Sequence, residues 1–273
     1  MEPPKEEVRR KPAFEHESGE PWEDIEVPPW FDELVVICID ASASMSEDND
    51  AETPGVSKTV EVLNQVFNAK DNLMATLAGG TNRRAYHVAF IAFDNEATVV
   101  ARPAPLVDPT TDLVAYLADV DLAPYFSYGD GTAIGKALLL AGDITDGWLS
   151  NPEVNGQRGK DKRFATIIIV SDGGENRSSD PKGKAAVIKA NYSGQPLHLG
   201  DSIVRERVTI ACAAYGDKAD KELLKDVSSG PDFFDTPKSG KQLRDFLLKS
   251  ITALRESPKQ GSESAVDETQ PIA

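Results

Sequence analysis

Asp40, Ser42 and Ser44 stand at alternate positions in Ile39-Asp-Ala-Ser-Ala-Ser44. In an extended chain such a spacing sends a carboxylate and two hydroxyls off the same face. All three are hard oxygen donors, with no Cys or His among them. That donor type suits Mg²⁺, Mn²⁺ or Ca²⁺ rather than zinc. The same residues also fit a polar strand-to-helix turn with a Ser N-cap. Two distant segments carry matching chemistry. Thr132 follows two glycines in Gly129-Asp-Gly-Thr132 and precedes an amphipathic stretch. Its hydroxyl suits a helix cap and is also placed to reach a neighbouring strand end. Asp172 lies in Ser171-Asp-Gly-Gly-Glu-Asn176, where the glycines permit close backbone approach.

The elements that must position these groups can be read from hydrophobic pattern. Leu34 to Ile39 is continuously apolar and short, which predicts a strand buried on both faces. Asp40 closes that strand, and in open α/β sheets ligands bind at the carboxyl ends of strands. Ala165 to Val170 is a second run of this kind, and it ends at Ser171-Asp172. Val56, Val60, Leu63, Phe67, Met74 and Leu77 fall near helical spacing and predict one long amphipathic helix closed by Gly79-Gly80. Ala85 to Phe93 and Ala97 to Ala101 form a hairpin around Asp94-Asn95, ended by Pro103 and Pro105. A short helix is expected around Thr111 to Ala118, and a longer one carries Ile134, Leu138, Ala141 and Trp148. A helix near Lys184 to Lys189, a strand at Arg207 to Ala214 and a helix at Lys218 to Val227 follow. Phe233-Phe234 forms a short edge strand, and the last helix carries Leu243, Phe246, Leu247, Ile251 and Leu254. This alternation predicts an α/β fold: a doubly wound, mostly parallel central sheet with one antiparallel edge strand and helices on both faces.

Composition narrows the function classes. The formal net charge is -16, which opposes a nucleic-acid partner because phosphate neutralisation needs clustered Lys and Arg. No apolar run reaches the roughly 18 residues of a membrane span. The N-terminus has no basic region followed by an apolar core, so a cytoplasmic protein is expected. Cys38 and Cys212 both lie in apolar runs and read as small core residues in a reducing compartment. Residues 1–29 form an acidic, Pro-rich arm expected to be disordered, with Trp22, Trp30 and Phe31 able to pin its end. Residues 30–255 make the folded domain, and residues 256–273 a disordered tail. His87 sits inside a strand pattern and reads as structural. The acidic loop from Ser46 to Glu52 lacks the Gly and terminal Glu of an EF-hand. A phosphate-loop reading around Gly135-Lys136 fails, because Asp130 stands where its first Gly belongs and Ala137 where its Ser or Thr belongs.

Taken together, Asp40-Ala-Ser42-Ala-Ser44, Thr132 and Asp172-Gly resemble the metal-ion-dependent adhesion site (MIDAS) of the von Willebrand factor A (VWA) family, on the expected elements and in the expected order. Ala43 stands where the family commonly has Gly, and Ser171 where it often has Thr. The resemblance implies a bound Mg²⁺, with Mn²⁺ or Ca²⁺ as alternatives. It implies direct ligation by Ser42, Ser44 and Thr132, with Asp40 and Asp172 binding directly or through water. The remaining coordination position would go to an Asp or Glu of a partner protein. The implied function is a non-catalytic intracellular interaction module, by family analogy in a bacterial system with an ATPase or a kinase/phosphatase. Two alternatives remain. A haloacid-dehalogenase-like, Mg²⁺-dependent phosphatase would need a second Asp where Ser42 stands, and an inert scaffold would hold no metal. Two electrostatic expectations accompany the main reading. Asp40 and Asp172 should repel each other in the absence of metal. Glu47, Asp48, Asp50, Asp130 and Glu175 should give the rim an acidic field that favours a basic partner surface.

Overall fold

A computed structural model describes residues 31–48, 55–68, 73–79, 84–106, 123–126, 128–151, 163–198, 203–252 and 255–256. Its centre is β1 (Phe31–Asp40), flanked by two parallel neighbours, β2 (Arg84–Phe93) and β4 (Arg163–Ser171). Outside β2 lies β3 (Ala97–Pro105), which is antiparallel to it. Outside β4 lie β7 (Val208–Ala214) and then the two-residue β8 (Phe234–Asp235). The sheet order is β3-β2-β1-β4-β7-β8, mostly parallel with one antiparallel pair.

Helices cover both faces, and the period-two alternation of β1 divides its side chains between them. Val35, Ile37 and Ile39 join a cluster with Val62, Val66, Leu73, Met74, Leu243, Leu247 and Ile251. These come from α1 (Lys58–Leu63), the π-helical stretch Asn64–Asn68, α2 (Leu73–Gly79) and α6 (Gly240–Thr252). Leu34, Val36 and Cys38 join the opposite cluster with Ile134, Leu138, Ala141, Ala185, Ile188, Leu224 and Val227. These belong to α3 (Ile134–Ser150), α4 (Pro181–Tyr192) and α5 (Lys221–Val227). Among the described residues no helix is long and apolar enough to cross a membrane.

Several boundaries differ from the sequence reading. The long helix expected from Val56 to Leu77 is interrupted at its π-helical stretch, and residues 69–72 lie outside the described set. Val60, assigned to its apolar face, is 45% exposed, while Lys58, Thr59 and Glu61 are buried. The hairpin does not stop before Pro103. Strand β3 continues to Pro105, opposite His87, which an edge position tolerates because the outer side needs no donors. A small antiparallel sheet was not expected; it joins β5 (Leu197–His198), β6 (Ile203–Arg205) and β9 (Arg255–Glu256). The helix expected at Thr111–Ala118, the residues Trp22, Trp30 and Leu254, and both terminal segments lie outside the described residues, except Glu256, which the sequence reading places in the disordered tail and which instead pairs in β9.

The two cysteines are buried and free. Cys38 is in register with Ile169, and Ile169 with Cys212, so strand β4 runs between the thiols. Burial holds both thiols well above the usual thiol range. His87 pairs in register with Leu34, six residues before Asp40, and packs its ring 5.3 Å from that of Trp148.

Ile168 lies on β4 between β1 and β7 and is wholly buried, whereas Val187 on α4 is 58% exposed. Ile168→Ala should therefore cost about 2–5 kcal/mol of unfolding free energy in urea titration. Val187→Ala should stay within about 0.5 kcal/mol of the parent.

Candidate metal centre

Three loops meet where β1 and β4 end. Asp40 is the last residue of β1, and Ser171 the last of β4. After Asp40 the chain bridges at Ser42 to Gly129, and the Ala43 N–H donates to the Gly129 carbonyl at 2.8 Å. A 3-10 turn at Ala43–Ser46 then lifts Ser44 over the end of β4. Thr132 is fixed from the β4 side: its N–H donates to Asn176 Oδ1 at 2.8 Å, and the Asn176 N–H donates to the Thr132 carbonyl at 3.2 Å. Thr132 does not cap α3. The cap position is Ala133, which makes no side-chain capping bond, and the Gly135 N–H is satisfied by Ser179 Oγ at 2.9 Å and Glu175 Oε2 at 3.3 Å.

These loops bring the five sequence-predicted residues together. Asp40 and Asp172 are fully buried, Ser42 and Thr132 nearly so, and Ser44 is half-buried. Asp40 Oδ1 accepts from the Ser42 N–H at 2.8 Å, and Oδ2 accepts from the Ser171 hydroxyl at 2.5 Å. The Ser42 and Ser44 hydroxyls are 3.1 Å apart, and Ser44 donates to Asp172 Oδ1 at 2.6 Å. Gly173 marks the space between them. A Cβ built there would lie 3.1 Å from Thr132 Oγ1 and 3.9 Å from both Asp40 Oδ2 and Ser44 Oγ. A cradle of oxygens from two carboxylates and three hydroxyls fits a hard divalent cation. It is not an acid-rich site: among the described residues, no three His, Cys, Asp or Glu side chains gather as a metal cluster.

Burial pushes the Asp40 carboxyl up to about 6, against the lowering effect of its bonds from Ser171 and Ser42. The Asp172 charge adds only a lesser upward push. The repulsion expected between the two carboxylates is therefore present but is not the main influence on Asp40. Asp172 in turn faces a residue the sequence reading passed over. Lys58, in the first turn of α1, reaches into the site and places Nζ 2.6 Å from Asp172 Oδ2. The same ammonium lies 3.2 Å from the Ser44 carbonyl oxygen and 3.5 Å from Glu47 Oε2. A lysine at a helix N-terminus opposes the helix dipole. That mismatch, directly after the Ser57 cap, was the available signal.

The acidic rim also differs from expectation, because most of its described carboxylates have partners within the chain. Glu47 pairs with Lys218 at 2.8 Å, and Asp130 with Arg177 at 2.5 Å. Glu175 accepts from Ser179 Oγ and from the Arg177 N–H. Asp48 is exposed, and Asp50 lies outside the described residues.

The family model described as von Willebrand factor type A domain matches residues 35–249. Comparison with curated proteins gives no match. Among solved structures, proximal thread matrix protein 1 from the mussel byssus aligns with a TM-score of 0.52 and 16% identity, over 85% of this chain and 49% of its own. A second structure of that protein, described as having a zinc-occupied MIDAS motif, aligns with the same TM-score and identity over 48% of its length. A von Willebrand factor type A protein from Catenulispora acidiphila aligns with a TM-score of 0.50 and 19% identity, over 81% of this chain and 43% of its own. The chain thus spans about half the length of these proteins, and at such identities the likeness is one of fold.

The cradle at Gly173 generates a direct test. Gly173→Ala adds a methyl where Thr132 Oγ1 must give way, without a positive φ to oppose it. The variant should fold with a far-UV spectrum like the parent's. It should bind Mn²⁺ about tenfold more weakly or worse in calorimetric titration, the scale on which disturbed metal surroundings act.

Proposed function

We propose that this chain, which belongs to the von Willebrand factor type A domain family, is a non-catalytic protein-binding module that works through a divalent cation. Domains of this family are interaction modules, often metal-dependent through the adhesion-site motif. The observation that carries the reading here is the meeting of Asp40, Ser42, Ser44, Thr132 and Asp172 around the space beside Gly173. These five side chains would hold the ion, Mg²⁺ first, with Mn²⁺ or Ca²⁺ as alternatives. When bound, the cation supplies a positive centre for an anionic oxygen. Three of the five groups are neutral hydroxyls, so the ion keeps charge to share with an Asp or Glu of the partner. Placement in the cytoplasm is proposed from the character of the N-terminal residues, and a bacterial setting beside an ATPase or a kinase/phosphatase from family analogy.

The arrangement gives a phosphatase reading less support. Asp40 is fully buried at the end of β1, with each of its oxygens accepting one hydrogen bond from the chain. Ser42 occupies the position where that mechanism needs a second carboxylate. The partner surface need not be strongly basic, because Glu47, Asp130 and Glu175 are already engaged at the rim. The overall charge of -16 still favours a partner that is not itself acidic.

Thermal unfolding tests the reading. After chelation, Mg²⁺ or Mn²⁺ at 100-fold excess over its dissociation constant should add about 2.7 kcal/mol of stability. Ser42→Ala and Thr132→Ala should lose most of that gain while unfolding near the parent when chelated. Asp172→Ala should lose it too, and its chelated form should fall about 1–3 kcal/mol below the parent, because the buried Lys58 ammonium loses its nearest carboxylate and keeps only the Ser44 carbonyl and the more distant Glu47. A melting temperature that ignores both metals after verified chelation sinks the proposal. Capture of a partner that is indifferent to chelator and to Ser42→Ala removes its interaction half.

A further inference from the structure

Lys58 is the part of this site that the metal-binding motif does not contain. It is 7% exposed, and its ammonium has three oxygens around it: Asp172 Oδ2 at 2.6 Å, the Ser44 carbonyl at 3.2 Å and Glu47 Oε2 at 3.5 Å. Two of the three accept hydrogen bonds from the ammonium, and the third, Glu47, lies at ion-pair distance. The surroundings are shaped for it. Glu47 is also bound by Lys218, which contacts both of its carboxylate oxygens, at 2.9 and 2.8 Å. Gly216, at φ +110°, lies against the stem, and a Cβ added there would stand 3.4 Å from Lys58 Cε and 3.7 Å from Nζ. The Ser57 hydroxyl caps α1 by accepting from the Val60 N–H, so the helix that carries Lys58 starts at a fixed point.

We infer that Lys58 is a built-in counter-cation that sets how readily this site takes a divalent ion and how strongly the loaded site seeks an anion. The inference rests on the metal-binding reading given above and deepens it. Asp40 and Asp172 bring two formal negative charges, and Lys58 returns one, while Glu47 is balanced by Lys218. Without the lysine, a divalent ion would neutralise the pair of carboxylates and leave no surplus. With the lysine, the same ion leaves one positive charge in excess. The ammonium therefore weakens binding of the metal alone, by like-charge repulsion and by holding an oxygen of Asp172. It also makes an anionic oxygen from outside the chain a larger share of the binding free energy. Metal and partner carboxylate then assist each other, a coupling that must be reciprocal. In the metal-free protein the ammonium has a second role, because it keeps the end of β4 and the turn at Ser44 assembled.

The test titrates Mn²⁺ alone into chelator-stripped parent, Lys58→Met and Lys58→Arg, and reads affinity by calorimetry and chelated stability by thermal unfolding. Lys58→Met should bind Mn²⁺ about tenfold more tightly than the parent, within the usual range of site-to-site coupling. Its chelated form should melt several degrees lower, and added Mn²⁺ should raise its melting temperature more than it raises the parent's. Lys58→Arg, which keeps the charge, should bind no more tightly than the parent. A parent too weak to measure beside a Lys58→Met that binds is the strong form of the same result. Equal or weaker binding by Lys58→Met overturns the counter-cation role and leaves the metal site standing. Absence of binding in all three proteins overturns both. If Lys58→Met does not fold, Lys58→Gln, which keeps a donor without the charge, is read against the same outcomes.

Discussion

A carboxylate that ends a buried strand has no water to answer it, so the chain itself must. Asp172 is fully buried at the end of β4, and its two oxygens are met by the Ser44 hydroxyl and the Lys58 ammonium. Those two residues are distant in sequence, 128 and 114 positions away. Satisfying this one side chain therefore fixes the turn after β1, the start of α1 and the end of β4 relative to one another. A buried ion pair gives little net stability, because desolvation of both charges offsets their attraction. What it contributes is uniqueness: a conformation that separates them strands a charge in the interior.

The hydroxyl and carboxylate set was legible in the sequence because its spacing is a backbone property. Alternation at Asp40, Ser42 and Ser44 follows from an extended chain, and the apolar runs before Asp40 and Asp172 mark central strands. The doubly wound architecture was legible for the same reason, since Leu34 to Ile39 and Ala165 to Val170 admit no solvent-facing side. Helix α1 was not. Periodicity counts apolar residues, and it turned the helix so that Val60 faced inward. The structure buries Lys58, Thr59 and Glu61 instead, and each has a specific acceptor or donor: Asp172, the Met45 carbonyl and the Gly240 N–H. Partners so distant in sequence leave no local pattern. The three short strands of the small sheet were missed for a simpler reason, because runs of two or three residues are too short to show alternation.

The same buried polar row on α1 ties the site to the rest of one helical layer. Lys58 touches the site, Thr59 donates to the turn that follows it at 3.1 Å, and Glu61 Oε1 accepts from the first N–H of α6 at 2.8 Å. Gly240 itself stands so close that a Cβ would meet Glu61 Oε1 and Gln65 Nε2 at 2.7 Å. Three of the first four residues of one short helix are thus committed to the strand end, the following turn and the neighbouring helix. Such a row cannot rotate to bury an apolar stripe without breaking all three links.

The outer strands carry a consequence for how another protein can approach. On one side β3 runs to its end with Pro103 and Pro105, neither of which has an N–H to offer. On the other side β8 offers only Phe234 and Asp235. Extended peptides that bind by adding a strand need a run of free backbone donors and acceptors, and such runs are also where chains stack into fibrils. Among the described residues β8 is too short to supply one, and on β3 the stretch Pro103–Pro105 offers only the Ala104 N–H. Main-chain pairing, with a peptide or with another copy of the sheet, is thereby disfavoured at β8 and at the Pro103–Pro105 end of β3.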